Sequence, residues 1–242
     1  MNHQAYSWTS FGILMGIGCI ALFLALPRPL KPGYFIISVS VLGVIVGTGL
    51  FFSRSVGLKT LVFSSDLLHG NLQQLLQTLG RAILIGVGLG TVILVVIRFL
   101  LLSVVPEIRL RFTAESSLET WKRVVIAFDS AVLEEIVFRL FLLSSLVWIV
   151  SKSWQIQKPP TPGIFWIINA LIAIGFGIAH LPQWSAITPL TPLVILTVVL
   201  LNSIGGLTFG YLFYTNGLEG AIVAHFVADI MLHVVGLRFL QT

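Results

Sequence analysis

Between Ala82 and Val105 a single charged residue, Arg98, interrupts an otherwise apolar stretch. A run of that length meets the roughly 20 residues an α-helix needs to cross a hydrocarbon core of about 30 Å. Similar runs recur along the chain and place spans at about Trp8–Leu26, Tyr34–Phe52, Ala82–Val105, Val124–Val150, Gly163–His180, Leu193–Thr215 and Leu218–Leu240. Prolines fall between most of them, at Pro27, Pro29, Pro32, Pro106, Pro159, Pro160, Pro162, Pro182, Pro189 and Pro192, and Asn216-Gly217 makes a turn before the last. In lipid a spanning segment must satisfy its own backbone, which a helix does alone. The predicted fold is therefore all-α: a polytopic transmembrane helix bundle of about seven spans, forming one integral membrane domain over residues 1–242.

Composition agrees. Hydrophobic residues make up 57% of the 242 and charged residues 10%, where a soluble domain carries about 25% charged. The net charge of +5 is scattered in Lys and Arg beside span ends, which argues against a nucleic-acid partner and leaves membrane lipid as the surroundings. The single cysteine, Cys19, excludes an internal disulfide framework and reads as a packing residue. The run Phe11–Leu26 ends in Pro27-Arg28-Pro29 rather than small residues, so it is expected to be a retained helix and not a cleaved signal.

Two connections carry pattern. Leu68, Leu72, Leu75, Leu76 and Leu79 share one helical face, so the segment near residues 66–79 is expected to lie in the interface or to insert as an eighth span. Ser116 with Glu119 three residues on has the form of a capping box that would open the fourth span, with Lys122 and Arg123 at the membrane edge.

Ionisable residues within spans are costly, about 2.5–3.5 kcal/mol each on insertion scales, and so mark function by default. The fourth span holds Asp129, Glu134, Glu135 and Arg139. Glu135 and Arg139, four apart with the acid first, are spaced for an ion pair. Glu134, rotated by about 100°, is left without that partner. The fifth span ends Phe176-Gly-Ile-Ala-His180, and the last carries His225 and Asp229 on one face with His233 a turn further. Singly, each has a plain structural reading: a core ion pair, a helix-end histidine, a self-satisfied His–Asp pair. Together they could bring two imidazoles and an unpaired carboxylate into one bundle interior. His180 lies at the end of its span by simple counting, so the convergence requires a tilted helix or a water-filled cavity.

These residues resemble the three motifs of the CAAX prenyl protease and bacteriocin-processing (ABI) family of intramembrane peptidases: Glu134-Glu135-Ile-Val-Phe-Arg139, Phe176 to His180, and His225 to Asp229. The resemblance covers about residues 118–240 as a catalytic core and leaves the spans of residues 1–105 without an assigned role. It implies that Glu134 and His180 activate the attacking water, that His225 and residue 229 stabilise the oxyanion, and that Glu135 and Arg139 hold the site in shape. Ionised Asp229 cannot donate to an oxyanion, so it is expected instead to orient His225. Glu134, His180 and His225 would also make three ligands of a catalytic zinc site; no His-Glu-x-x-His motif is present, and no required metal is expected, with zinc as the alternative.

The leading expectation is an intramembrane endopeptidase acting on a membrane-tethered peptide or a prenylated, CAAX-type substrate. The alternatives are a catalytically silent family member serving as an immunity protein or membrane scaffold, and a proton-coupled transporter. The complete motif set weighs against the first. The transporter would predict inverted repeats, and the sequence has no internal symmetry.

Overall fold

A computed structural model of the chain describes residues 3–26, 29–60, 71–154 and 162–240. Every regular element among the described residues is helical. Five helical stretches are long and apolar enough to cross a bilayer by length and composition: Trp8–Ala25, Pro32–Ser55, Leu72–Val104, Pro162–Ser185 and Pro192–Val235. The chain is an integral, multi-pass membrane protein.

Helix α1 (His3–Ala25) and α2 (Pro32–Ser55) form an antiparallel pair. Pro32 opens α2, and Gly57 closes it with φ 75 while the amides of Gly57 and Leu58 return to the carbonyls of Arg54 and Ser53. That left-handed residue satisfies the last carbonyls of the helix. Helix α3 (Leu72–Val96) starts at the Asn71 cap and continues through a π-helical stretch, Ile97–Leu101, to Val104. The third span thus begins at Leu72 rather than Ala82. The leucines from Leu72 to Leu79 are its first turns, neither a flat interfacial helix nor an eighth span. Residues 66–70 of that expected segment lie outside the described residues. A continuous stretch of 33 residues runs about 50 Å, so its first turns extend past a 30 Å core.

After Pro106 a short polar helix, α4 (Glu107–Ser116), precedes α5 (Thr120–Glu135). The expected capping box does not form. Ser116 ends α4, and its hydroxyl donates to Thr113 O at 2.8 Å. Glu119 occupies the cap position itself, and its carboxylate takes Lys122 Nζ and Trp121 Nε1, each at 3.0 Å. Lys122 and Trp121 hold that exposed carboxyl below the usual range, Lys122 foremost.

Helix α5 passes without a break into π-helical Ile136–Leu143 and α6 (Ser144–Ser153), completing the fourth pass. Its charges keep it out of the apolar set, and its neighbours explain how it crosses. α5 and the π-helical stretch pack on α1 and α2, where Val132, Ile136, Leu140 and Leu143 join Leu14, Ala21, Leu42 and Val46 in one buried cluster. The first two spans therefore separate the charged helix from lipid, a structural role the sequence had left unassigned.

Helix α7 (Pro162–Ala179) is followed by short α8 (Leu181–Ser185). The sixth and seventh spans form one helical run, α9 (Pro192–Asp229), broken at Gly217 with φ 80 and ψ 178. Sixteen residues of straight helix would separate Phe209 from His225 by about 24 Å, yet their rings stack at 4.4 Å. Gly217 thus folds α9 back as a hairpin, as Asn216-Gly217 predicts. π-helical Ile230–Val235 and α10 (Leu237–Leu240) complete the chain.

Small residues let the site-bearing helices approach. A Cβ on Gly86 would lie 2.5 Å from Ala224 O, and one on Gly90 2.5 Å from Met231 Cβ. Gly86 and Gly90 therefore seat α3 against the second limb of α9, the Gly-x-x-x-Gly solution to packing where apolar burial gives no gain over lipid.

Candidate active site

The buried framework comes first. Glu135 and Arg139 are both fully buried, with Arg139 Nε 3.2 Å from Glu135 Oε2. A pair so desolvated needs further partners to persist. Arg139 Nη2 donates to Gly206 O at 3.1 Å, on the first limb of α9. Its guanidinium faces the rings of Phe176 at 4.6 Å, Phe209 at 5.6 Å and Phe138 at 5.9 Å. Those π-faces stabilise a cation in an apolar interior. One arginine thereby ties the fourth pass to α7 and to the first limb of the hairpin.

The other oxygen of Glu135 meets His225. Nδ1 of His225 lies 2.8 Å from Glu135 Oε1, and a carboxylate can only accept, so Nδ1 carries the proton. Phe209 stacks on the same ring at an interplanar angle of 14°. Nε2 of His225 is left facing two carboxylates, Asp229 Oδ2 at 3.6 Å and Glu134 Oε2 at 3.9 Å. Asp229 was expected to orient His225, and the structure sets Glu135 on Nδ1 and Asp229 beside Nε2. Glu135 holds the ring, and Asp229 sits beside the nitrogen turned towards the cavity. The cause is topological: Asp229 shares a helix with His225, but the π-helical fourth pass brings Glu135 directly onto Nδ1.

Glu134 and His180 complete the group. Glu134 Oε1 accepts from Ser130 Oγ at 2.9 Å. Oε2 is shielded from solvent and has no hydrogen-bond partner. It faces His180 Nε2 at 3.8 Å and His225 Nε2 at 3.9 Å. Nδ1 of His180 lies 2.8 Å from Phe176 O; a carbonyl only accepts, so Nδ1 carries a proton and Nε2 is the nitrogen that faces Glu134. Phe176 also packs edge-on against both imidazoles. The phenylalanine of the second motif thus supplies a carbonyl to His180 and a ring to Arg139.

His180 is the last residue before α8 and borders a cavity of about 350 Å³. Ser130, Phe209, His225 and Asp229 line it too, and its far wall is α4, α8 and the start of α5. The span-end position that simple counting makes awkward is where the cavity opens. Six sequence-derived residues meet in one place: His180, His225 and Asp229 line the cavity, Glu134 lies beside them on Ser130, and Glu135 and Arg139 stand behind. Ser130 was not foreseen, although it lies four residues before Glu134 on the same face. Nor was the tie from Glu115, which takes His233 Nδ1 at 2.7 Å and Arg111. Burial would raise the Glu115 carboxyl, but His233 and Arg111 outweigh it and hold the group below its ordinary value.

Residues 116–231 match the family model described as type II CAAX prenyl endopeptidase Rce1-like. Over that stretch, a little under half of the chain, it is similar to that family. The matched stretch contains all three motifs and ends just past Asp229. That family is one of CAAX prenyl endopeptidases, which are hydrolases. No curated protein and no solved structure matches the chain.

The zinc alternative can be tested on the donor set. Both imidazoles commit Nδ1 to an acceptor, the arrangement that readies Nε2 for a metal. Glu134, His180 and His225 would be the residues to hold the ion, and no step below is routed through a metal.

Proposed function

We propose that this protein hydrolyses a peptide bond of a membrane-tethered or prenylated, CAAX-type substrate, using a water activated by Glu134 and His180 without a required metal. The observation that carries the reading is the unpartnered Oε2 of Glu134, turned towards Nε2 of two imidazoles whose Nδ1 atoms are already held. A water there donates one hydrogen to Glu134 and the other to the bare Nε2 of His180, leaving a lone pair for the scissile carbonyl. As the oxygen attacks the carbonyl carbon, its proton passes to Glu134. His225, carrying a second proton on Nε2, donates to the developing oxyanion, and Asp229 beside that nitrogen stabilises the imidazolium. Collapse breaks the C–N bond, and Glu134 returns the proton to the leaving amine. Glu135 and Arg139 keep His225 in register. The cavity walls of Ile93, Ile97, Leu201 and Leu232 suit an isoprenoid chain beside the peptide.

Protein purified into detergent or liposomes should cleave isoprenylated peptides. Glu134→Gln and His180→Ala should remove that cleavage with the fold intact. Turnover by the variants at the parental rate would contradict the reading, and loss of the parental activity to a chelator, restored by zinc, would contradict its metal-free part.

A further inference from the structure

A second cavity lies at the opposite end of the bundle. Each pass reverses the chain, so α2, α3, the fourth pass and α7 end on alternating faces, and the end of α2 lies across the membrane from His180. The amide of Leu218, at the hairpin bend, donates to Thr60 O at 2.9 Å and sets the end of α2 beside that bend. Here the start of α1 and the end of α2 enclose a groove of about 640 Å³, walled by Trp8, Phe11, Gly47 and Phe51 and closed by Arg54 and Ser55. None of these residues lines the catalytic cavity.

The walls suit a hydrocarbon chain. Trp8 and Phe51 are exposed, and Trp8 meets Phe11 edge-on at 6.2 Å. Gly47 leaves the space between the helices open, and a Cβ there would lie 3.7 Å from the Phe11 ring. Arg54 stands at the end of this slot. Helix α2 rises about 33 Å from Pro32 to Arg54, more than the roughly 30 Å of the hydrocarbon core, so the guanidinium lies at headgroup depth. Trp8 opens its own span at the same level, where tryptophan is favoured.

The partial negative charge at the end of α2 favours a cation in its last turn. That accounts for the charge of Arg54 but not for its hydrogen bonds. Nη2 is shielded from solvent and has no partner, and no carboxylate lines the groove among the described residues. Exposed Lys59 adds positive charge five residues on. A shielded donor without an acceptor is costly, and a phosphate matches the planar fork of a guanidinium.

We propose that the groove between α1 and α2 binds one phospholipid, with Arg54 on the headgroup phosphate and an acyl chain along Phe11, Gly47 and Phe51. The lipid-facing aromatic walls select a lipid over a free phosphate. Because α1 and α2 separate the charged fourth pass from the bilayer, a lipid seated between them clamps that shield in place. The site is separate from peptide hydrolysis, and neither reading depends on the other.

The test uses full-length, delipidated protein in detergent, with native mass spectrometry reading the binding of phosphatidylglycerol and of a diacylglycerol with the same acyl chains. Phosphatidylglycerol should bind about 10-fold or more tightly than diacylglycerol, as a charge-assisted contact to phosphate requires. It should also raise the Tm of the parent, since it binds the folded state alone. Arg54→Gln should remove both the difference and the Tm rise, and Arg54→Lys, which keeps charge but loses the fork, should fall between. Gly47→Leu fills the groove with Arg54 in place and should weaken the binding of both lipids. Equal affinity of the parent for the two lipids, a preference that survives Arg54→Gln, or undiminished binding to Gly47→Leu overturns the proposal. Displacement of phosphatidylglycerol by an equal concentration of inorganic phosphate would mark a free-anion site and overturn it too.

Discussion

Replacing Glu135 with glutamine changes two atoms and tests how the buried framework works. Both Glu135 and Arg139 are fully buried. Neutralising one partner leaves the other an uncompensated interior charge, which costs about 3–5 kcal/mol in comparable pairs. Gly206 O and three aromatic rings remain on the guanidinium, so the lower end, about 3 kcal/mol, is expected. On the scaling for proteins of this length that lowers Tm by roughly 6–12 °C. Glu135→Leu combined with Arg139→Leu removes both charges and should recover most of that loss, since apolar residues commonly replace buried ion pairs without penalty. Activity should not recover, because Glu135→Leu leaves Nδ1 of His225 without an acceptor. The assay compares the parent, the single and the double variant by thermal unfolding in one detergent and by peptide cleavage on the same preparations. If the double variant regains activity along with stability, Glu135 serves packing alone, and its place as the group that positions His225 is refuted.

Three other outcomes follow from single contacts. Ser130→Ala frees Glu134 Oε1 and should lower kcat/KM about 10-fold, or about 1.4 kcal/mol, with little change in Tm. Gly86→Leu forces a side chain into Ala224 O and should cost about 1–3 kcal/mol or more while displacing the helix that carries His225, whereas Gly88→Leu, with open space around its Cβ, should be tolerated. Glu115, held below its ordinary value of 4.5, contributes stability that is complete above that value and lost as pH falls through the lower folded value. Tm of the parent should therefore drop on the acid side below about pH 4.5, and Glu115→Gln should remove that part of the slope.

Much of this arrangement is legible in the sequence because helices report their own neighbours. The Glu135–Arg139 pair follows from spacing, and so does the isolation of Glu134 from Arg139. The Asn216-Gly217 hairpin follows from the one residue type that takes positive φ freely. What the sequence withheld lies between helices. Asp229 is the obvious partner of His225 by spacing, and nothing along the chain ranks it below Glu135, which is distant in sequence and adjacent in space. Ser116 looks like a cap because the short polar helix it ends has no apolar periodicity to announce it. The leucine face after Asp66 reads as a separate segment because Gln73, Gln74 and Gln77 interrupt the apolar run, although the backbone carries on into the third span. His180 reads as shallow because the cavity at the end of its helix is invisible to residue counting.

The central claim is that Glu134 and His180 together activate a water, and one measurement addresses it most directly. Hydrolysis of an isoprenylated peptide should be compared for the parent, Glu134→Gln and His180→Ala at matched folding, each with and without chelator. The account predicts turnover by the parent that a chelator leaves unchanged, and a fall of at least about 100-fold in each variant. Turnover by Glu134→Gln close to that of the parent would contradict it.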